Sequence, residues 1–145
     1  MTDQAVHLSA SEKEQIQASL HDYAPAHSAM ATLEQHGGNV TTSLEAMLVE
    51  TYGGAAELGR PSLWEVTRET LRQEICEDDG FLGQVKAYTE KPEQAGLLTA
   101  LIVYLVEQVS LPFTISPSLA TLVVLYIVKV GLSIFCKYTE PQNDQ

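Results

Sequence analysis

Apolar residues along this chain recur at helical rather than strand spacing. The clearest case follows Ser62, where Trp64, Thr67, Leu71 and Ile75 fall three or four positions apart. That spacing puts them on one face of a helix running to about Glu77. Glu65, Arg68, Glu69 and Arg72 take the other face, a solvated charge pattern that adds little energy.

Three shorter helices are predicted ahead of it. Ser11 with Glu14 forms a capping-box pattern for a helix to Leu20, with Ile16 and Leu20 inward, after a polar stretch 1–8 expected to fray. Pro25 suits the first turn of a second helix that carries Met30 and Leu33 and stops at Gly37-Gly38. Thr42 with Glu45 repeats the capping box for a third, which carries Leu44, Met47 and Leu48 to about Tyr52. Gly53, Gly54, Gly59 and Pro61 then mark residues 53–61 as a linker.

Beyond the helix that Ser62 opens, Asp78-Asp79-Gly80 breaks the pattern and caps a short helix from Phe81 to Tyr88. Lys91-Pro92-Glu93 opens the next, running to about Gln108 through Leu97, Leu98, Leu101, Ile102 and Leu105. Ser116-Pro117 begins a last helix continuing to about Tyr138. No run alternates apolar and polar residues, and the β-branched runs at 102–106 and 123–130 lie inside stretches too long for strands. The pattern therefore predicts an all-α protein of about seven helices. It would comprise an N-terminal three-helix module (1–52), the linker, a helical bundle with a central apolar hairpin (62–138) and a disordered tail (139–145).

The apolar hairpin decides how the rest is read. Between Leu119 and Cys136 the only charge is Lys129. A membrane-inserted hairpin over 95–138 is one reading, with Lys137 and Tyr138 at an interface. Against it, the apolar run ending at Val106 is too short to cross lipid alone. Lys129 at a bilayer centre would also cost about 2.5–3.5 kcal/mol. Pro117, Thr121, Leu125, Lys129, Ser133 and Lys137 recur four apart as a narrow, mostly polar stripe. That arrangement suits a central helix of a bundle in water, with the stripe reaching solvent. The soluble bundle is the expectation and the membrane hairpin its alternative. Lys129 would pair with an acid on a partner or second copy, pair internally with Glu107 or Glu77, or snorkel to solvent.

Composition narrows the function classes. The chain has 145 residues, is 45% hydrophobic and carries a net charge of −11. An apolar fraction of this size supplies a core, and the acidic balance argues against nucleic acid and against anionic lipid surfaces. The charge is uneven: from Ala95 to Tyr138 only Glu107, Lys129 and Lys137 are charged. Cys76 and Cys136 make neither a disulfide framework nor a metal site, and are expected to be buried free thiols in a reducing compartment. Residues Met1 to Gln15 lack the basic and apolar regions of a secretory signal. The expected location is cytoplasmic.

Catalytic patterns are not found in the sequence. His7, His21, His27 and His36 are the histidines, and none are spaced as a helical zinc pair. Glu77-Asp78-Asp79-Gly80 lacks the alternating ligands of a calcium loop. No glycine-rich phosphate loop occurs. The expectation is a non-enzymatic adaptor or regulatory protein with no metal or cofactor, acting on a protein partner, with homo-oligomerisation left open.

One segment carries a resemblance. Leu33-Glu-Gln-His-Gly-Gly-Asn-Val40, followed by a helix with Leu44 and Met47-Leu48, is similar to the ubiquitin-associated (UBA-like) three-helix modules. The likeness covers about residues 11–52. It implies a small helical recognition module whose partner contacts come from the loop after helix one and the end of helix three, here Tyr23 and Met47-Leu48. The first loop reads His21-Asp22-Tyr23 where the family commonly has Met-Gly-Phe or Met-Gly-Tyr. The same Gly-Gly-Asn-Val segment also resembles the turn of Fis-type helix-turn-helix proteins. Residues 41–59, however, hold Glu45, Glu50 and Glu57 and no Lys or Arg, the opposite of a DNA-reading helix. The candidate partner-binding residues are Tyr23, Met47, Leu48 and Lys129.

Overall fold

The structure, a computed structural model, describes residues 6–52, 63–94 and 96–138. Among the described residues eight helices follow one another: α1 (Ala10–Ser19), α2 (Pro25–Gln35), α3 (Val40–Tyr52), α4 (Leu63–Ile75), α5 (Asp79–Glu90), α6 (Leu97–Glu107), α7 (Pro117–Val130) and α8 (Leu132–Tyr138). The protein is all-α, and among the described residues the only β-type pairing is an isolated antiparallel bridge between His7 and Asn39. The expected linker 53–61, the cap residue Ser62 and the tail 139–145 lie outside the described residues, as do the side chains of Lys137 and Tyr138.

Helix α7 is the centre of the bundle. Ser116 caps it by accepting from the Leu119 N–H at 3.1 Å, and Pro117 occupies the first turn. Every residue from Leu119 to Ile127 is buried, so this helix is covered around its full circumference rather than along one stripe. α2, α3 and α6 supply that cover. The apolar core is accordingly continuous from Val6 to Phe135, and its packing crosses the expected boundary between an N-terminal module and a C-terminal bundle. Each Leu- or Phe-sized side chain taken from water into such a core contributes about 1.5–3 kcal/mol.

The four-spaced stripe reaches solvent only in part, at Lys129 and Ser133. Thr121 and Leu125 are both 0% exposed. The Thr121 hydroxyl is satisfied within its own helix, donating to the Pro117 carbonyl at 2.8 Å, a local bond that lets a threonine sit in an apolar core. Of these two and Lys129, only Lys129 emerges. The long last helix is also divided. Gly131 adopts φ +94°, which ends α7 at Val130 and turns the chain into the seven-residue α8. α7 has 14 residues. At about 1.5 Å per residue it reaches roughly 21 Å, well short of the ~30 Å hydrocarbon core of a bilayer. No helix among the described residues is long and apolar enough to cross a membrane.

Other boundaries move for identifiable reasons. The arm expected to fray is docked from Val6 onward: the Leu8 N–H donates to the Gly38 carbonyl at 2.9 Å and the Val40 N–H to the Val6 carbonyl at 2.7 Å. With the arm held extended through Leu8, α1 starts two residues earlier, on a capping box made by Ser9 and Glu12 rather than Ser11 and Glu14. Asn39, not Thr42, caps α3 by accepting from the Thr42 N–H at 2.9 Å. Glu45 thus has no role in a capping box. Its carboxylate reaches α4 and accepts from the Trp64 N–H at 2.8 Å and the Leu63 N–H at 3.3 Å. The helix expected from Lys91 begins instead at Leu97, after Gly96 at φ +86°.

Candidate functional site

The four residues singled out from sequence do not come together. Met47 and Leu48 are 7% and 1% exposed and belong to the core between α3 and its neighbours. Both side chains point inward from α3. Lys129 sits at the C-terminal end of α7, where a cation is favoured by the helix dipole. Its ammonium donates to both carboxylate oxygens of Glu12, at 2.8 and 3.0 Å. The internal partner is therefore Glu12, not the expected Glu107 or Glu77. The hydrogen bond from Lys129, helped by the Ser9 backbone N–H, holds the Glu12 carboxyl below its ordinary value. One acid thus closes the capping box of α1 and ties that helix to the end of α7.

Tyr23, like Lys129, faces open space. It lies in the turn after α1, fixed by its N–H donating to the Leu20 carbonyl at 3.0 Å. Its ring is half-buried against the core. It lines an open cleft of about 650 Å³ together with Ala18, Ser19, Asp22, Glu93 and Thr99. Burial, and then the nearby charge of Glu107, raise the phenol above its ordinary value, so it stays neutral. The Tyr23 ring, small side chains and two acidic residues, Asp22 and Glu93, thus share one lining. A second cleft, of about 280 Å³, holds Glu12, Tyr88, Thr89 and Lys129. Gln15 lines both clefts, so they adjoin across α1.

The histidines do not assemble. His21 Nδ1 lies 3.1 Å from Asp22 Oδ1 at a fully exposed position, and His27 Nε2 lies 3.1 Å from the His21 carbonyl. Among the described residues no three His, Cys, Asp or Glu side chains converge as a metal site would need.

Two features were missed in the sequence. Cys76 and Cys136 are joined as a disulfide, with Cα atoms 5.8 Å apart across a sequence separation of 60. The expectation of free thiols is thus overturned, and cysteine usage no longer speaks for a reducing compartment. Two cysteines so far apart in sequence carry no spacing signal. Only the meeting of the end of α4 with α8 brings them within bridging range. The second feature is a run of aromatic rings that links α4, α7 and α8. Trp64 meets Tyr126 edge-on at 4.9 Å, and Tyr126 meets Phe135 edge-on at 6.3 Å. The Tyr126 hydroxyl accepts from Arg68 at 3.4 Å.

Comparison with protein-family models, with curated proteins and with solved structures finds no match for this chain.

Proposed function

We propose that the chain is a non-enzymatic adaptor or regulatory protein that works by protein–protein contact, with the cleft beside Tyr23 as its contact site. The observation that carries this reading is a half-buried aromatic ring lining an open cleft that also holds two acidic residues. An aromatic anchor in a pocket is the kind of group that dominates recognition energetics. Asp22 and Glu93 select the sign of the visitor: a segment pairing an apolar residue with Lys or Arg. A net charge of −11 steers such a basic partner toward the protein.

The UBA-like resemblance supports the same place, because Tyr23 stands in the loop after helix one. That family's other contact region falls here on Met47 and Leu48, which are core residues, so the reading rests on the Tyr23 side alone.

The test uses the isotope-labelled full chain titrated with two peptide pools of equal apolar content, one bearing Lys and Arg and one bearing Asp and Glu. Resonances of Ala18, Asp22, Tyr23 and Thr99 should move with the basic pool and not with the acidic one. Tyr23→Ala should abolish the response while leaving the remaining spectrum folded. Shifts spread elsewhere on the surface, or an unchanged response in Tyr23→Ala, would refute the assignment. Turnover of a substrate by the purified chain alone would refute the non-enzymatic class.

A further inference from the structure

The Cys76–Cys136 disulfide closes a covalent loop around the part of the molecule that is already best packed. α7 is enclosed by α2, α3 and α6, and none of those contacts passes through the bridge. What the bridge adds is a tie between the end of α4 and α8. Among the described residues the main helix-to-helix contact of α8 is with α7. Of its described side chains Phe135 is fully buried, Leu132 is half-buried, Ser133 is exposed and Ile134 is 57% exposed. Its seven residues are too few to be helical without tertiary support. It departs from α7 at Gly131, whose φ of +94° interrupts the helix and supplies a pivot that a residue with a side chain would resist. Both cysteines are half-buried rather than enclosed in the core, and a bridge that is not fully enclosed is the kind open to thiol–disulfide exchange.

We propose that this disulfide is a redox-opened clasp. When oxidised it holds α8 on the face formed by α4 and α7. When reduced it lets α8 swing away about Gly131 and uncovers the edge of Tyr126 that Phe135 covers. The co-reactant is a dithiol. One of its thiolates attacks a sulfur of the bridge, the S–S bond breaks, and a mixed disulfide forms while the other cysteine leaves as a thiolate. The second thiol of the reductant displaces the remaining cysteine. The dithiol departs as a disulfide, and its two electrons and two protons end on Cys76 and Cys136 as thiols. The inference does not depend on the Tyr23 cleft, which involves neither α4 nor α8.

Hydrogen exchange of the full chain, with and without excess dithiothreitol, tests it. Alkylation with iodoacetamide should label no cysteine before reduction and both afterwards. On reduction the amides of α8 should exchange at least about tenfold faster, while those of α2, α6 and α7 keep their protection. The Cys76→Ser/Cys136→Ser double variant should reproduce the reduced pattern without reductant. If that variant fails to fold, the reduced wild-type chain answers the question alone. Unchanged protection of α8 after complete reduction overturns the clasp, because Phe135 and the backbone would then suffice. Loss of protection in α7 together with α8 overturns it as well, because the bridge would then brace the whole fold. A bridge that dithiothreitol reduces only when the protein is denatured also overturns it.

Discussion

Replacing Gly38 with alanine should detach the N-terminal arm, and the same change at the neighbouring Gly37 is its control. Both glycines have positive φ, +86° and +64°, so alanine at either pays a left-handed backbone cost of about 1–2 kcal/mol. They differ in their surroundings. A Cβ on Gly37 would meet nothing within 4 Å, whereas one on Gly38 would lie 2.7 Å from the Leu8 carbonyl oxygen. That atom is backbone and cannot rotate aside, so the arm must move. Its movement breaks the Leu8–Gly38 and Val40–Val6 backbone bonds and the bond from the Val6 N–H to Thr41 Oγ1 at 3.0 Å. Each such bond contributes about 0.5–1.5 kcal/mol net. The arm also buries Val6 and Leu8, at 8% and 6% exposure, for about 1.5–3 kcal/mol each. Opposing these terms is the entropy of ordering Val6, His7 and Leu8, about 1–2 kcal/mol per residue. At the middle of these ranges the docked arm is worth about 3 kcal/mol. Gly38→Ala should cost about 4–5 kcal/mol and Gly37→Ala about 1–2 kcal/mol. Chemical denaturation followed by the emission of the chain's one tryptophan, Trp64, measures both. Equal losses in the two variants would refute the reasoning, because the difference between them is the steric term alone.

Three further outcomes follow from local geometry. Glu45→Ala removes the acceptor for the Trp64 and Leu63 N–H groups and should destabilise the protein by about 1–2 kcal/mol, on the scale of an N-cap loss; Glu45→Gln, which keeps an acceptor, should recover part of this in the same denaturation assay. Gly80→Ala would place a Cβ against the Tyr104 hydroxyl, which donates to Asp78 Oδ1 at 2.9 Å while the same oxygen caps α5 through the Phe81 N–H. Its cost should exceed that of Tyr104→Phe, which loses only the hydroxyl bond, about 1 kcal/mol; a smaller loss for Gly80→Ala would contradict the packing described. Because the Glu12 carboxyl titrates below its ordinary value, its contribution is complete above the ordinary carboxylate range and is lost as pH falls through the lowered value. Glu12→Gln should therefore flatten the acid limb of a stability–pH profile. With both groups more than a third exposed, the lost pair should cost no more than about 1 kcal/mol at neutral pH, and an unaltered acid limb would show that the pair does not form in solution.

Local signals along the chain were enough to read the helices themselves. The spacing of Trp64, Leu71 and Ile75 made α4 amphipathic, and all three are buried. Asp78 before Gly80, and Ser116 before Pro117, announced the starts of α5 and α7, and both side chains cap as their chemistry directs. These readings succeed because apolar periodicity and capping involve residues within one turn of each other. Where a signal was duplicated, sequence alone had no basis for choosing. Ser9 with Glu12 and Ser11 with Glu14 are equally good capping boxes, and the docked arm selects the first.

The candidate site depended on contacts between distant segments, and there the sequence was mute. A core position and a docking position on α3 have the same apolar identity, so Met47 and Leu48 could be assigned only once α7 was seen lying against that helix. Lys129 needed a carboxylate, and the one it found stands 117 positions away on α1. Cys76 and Cys136 carried no pairing signal, because a disulfide depends on the separation of two Cα atoms in space. Apolar pattern and capping chemistry determined that this chain would be helical and roughly where each helix would lie. Tertiary packing decided which faces were spent on the core, which charges were matched, and that the stretch from Pro117 to Tyr138 would be a buried helix, a glycine pivot and a short clasped one.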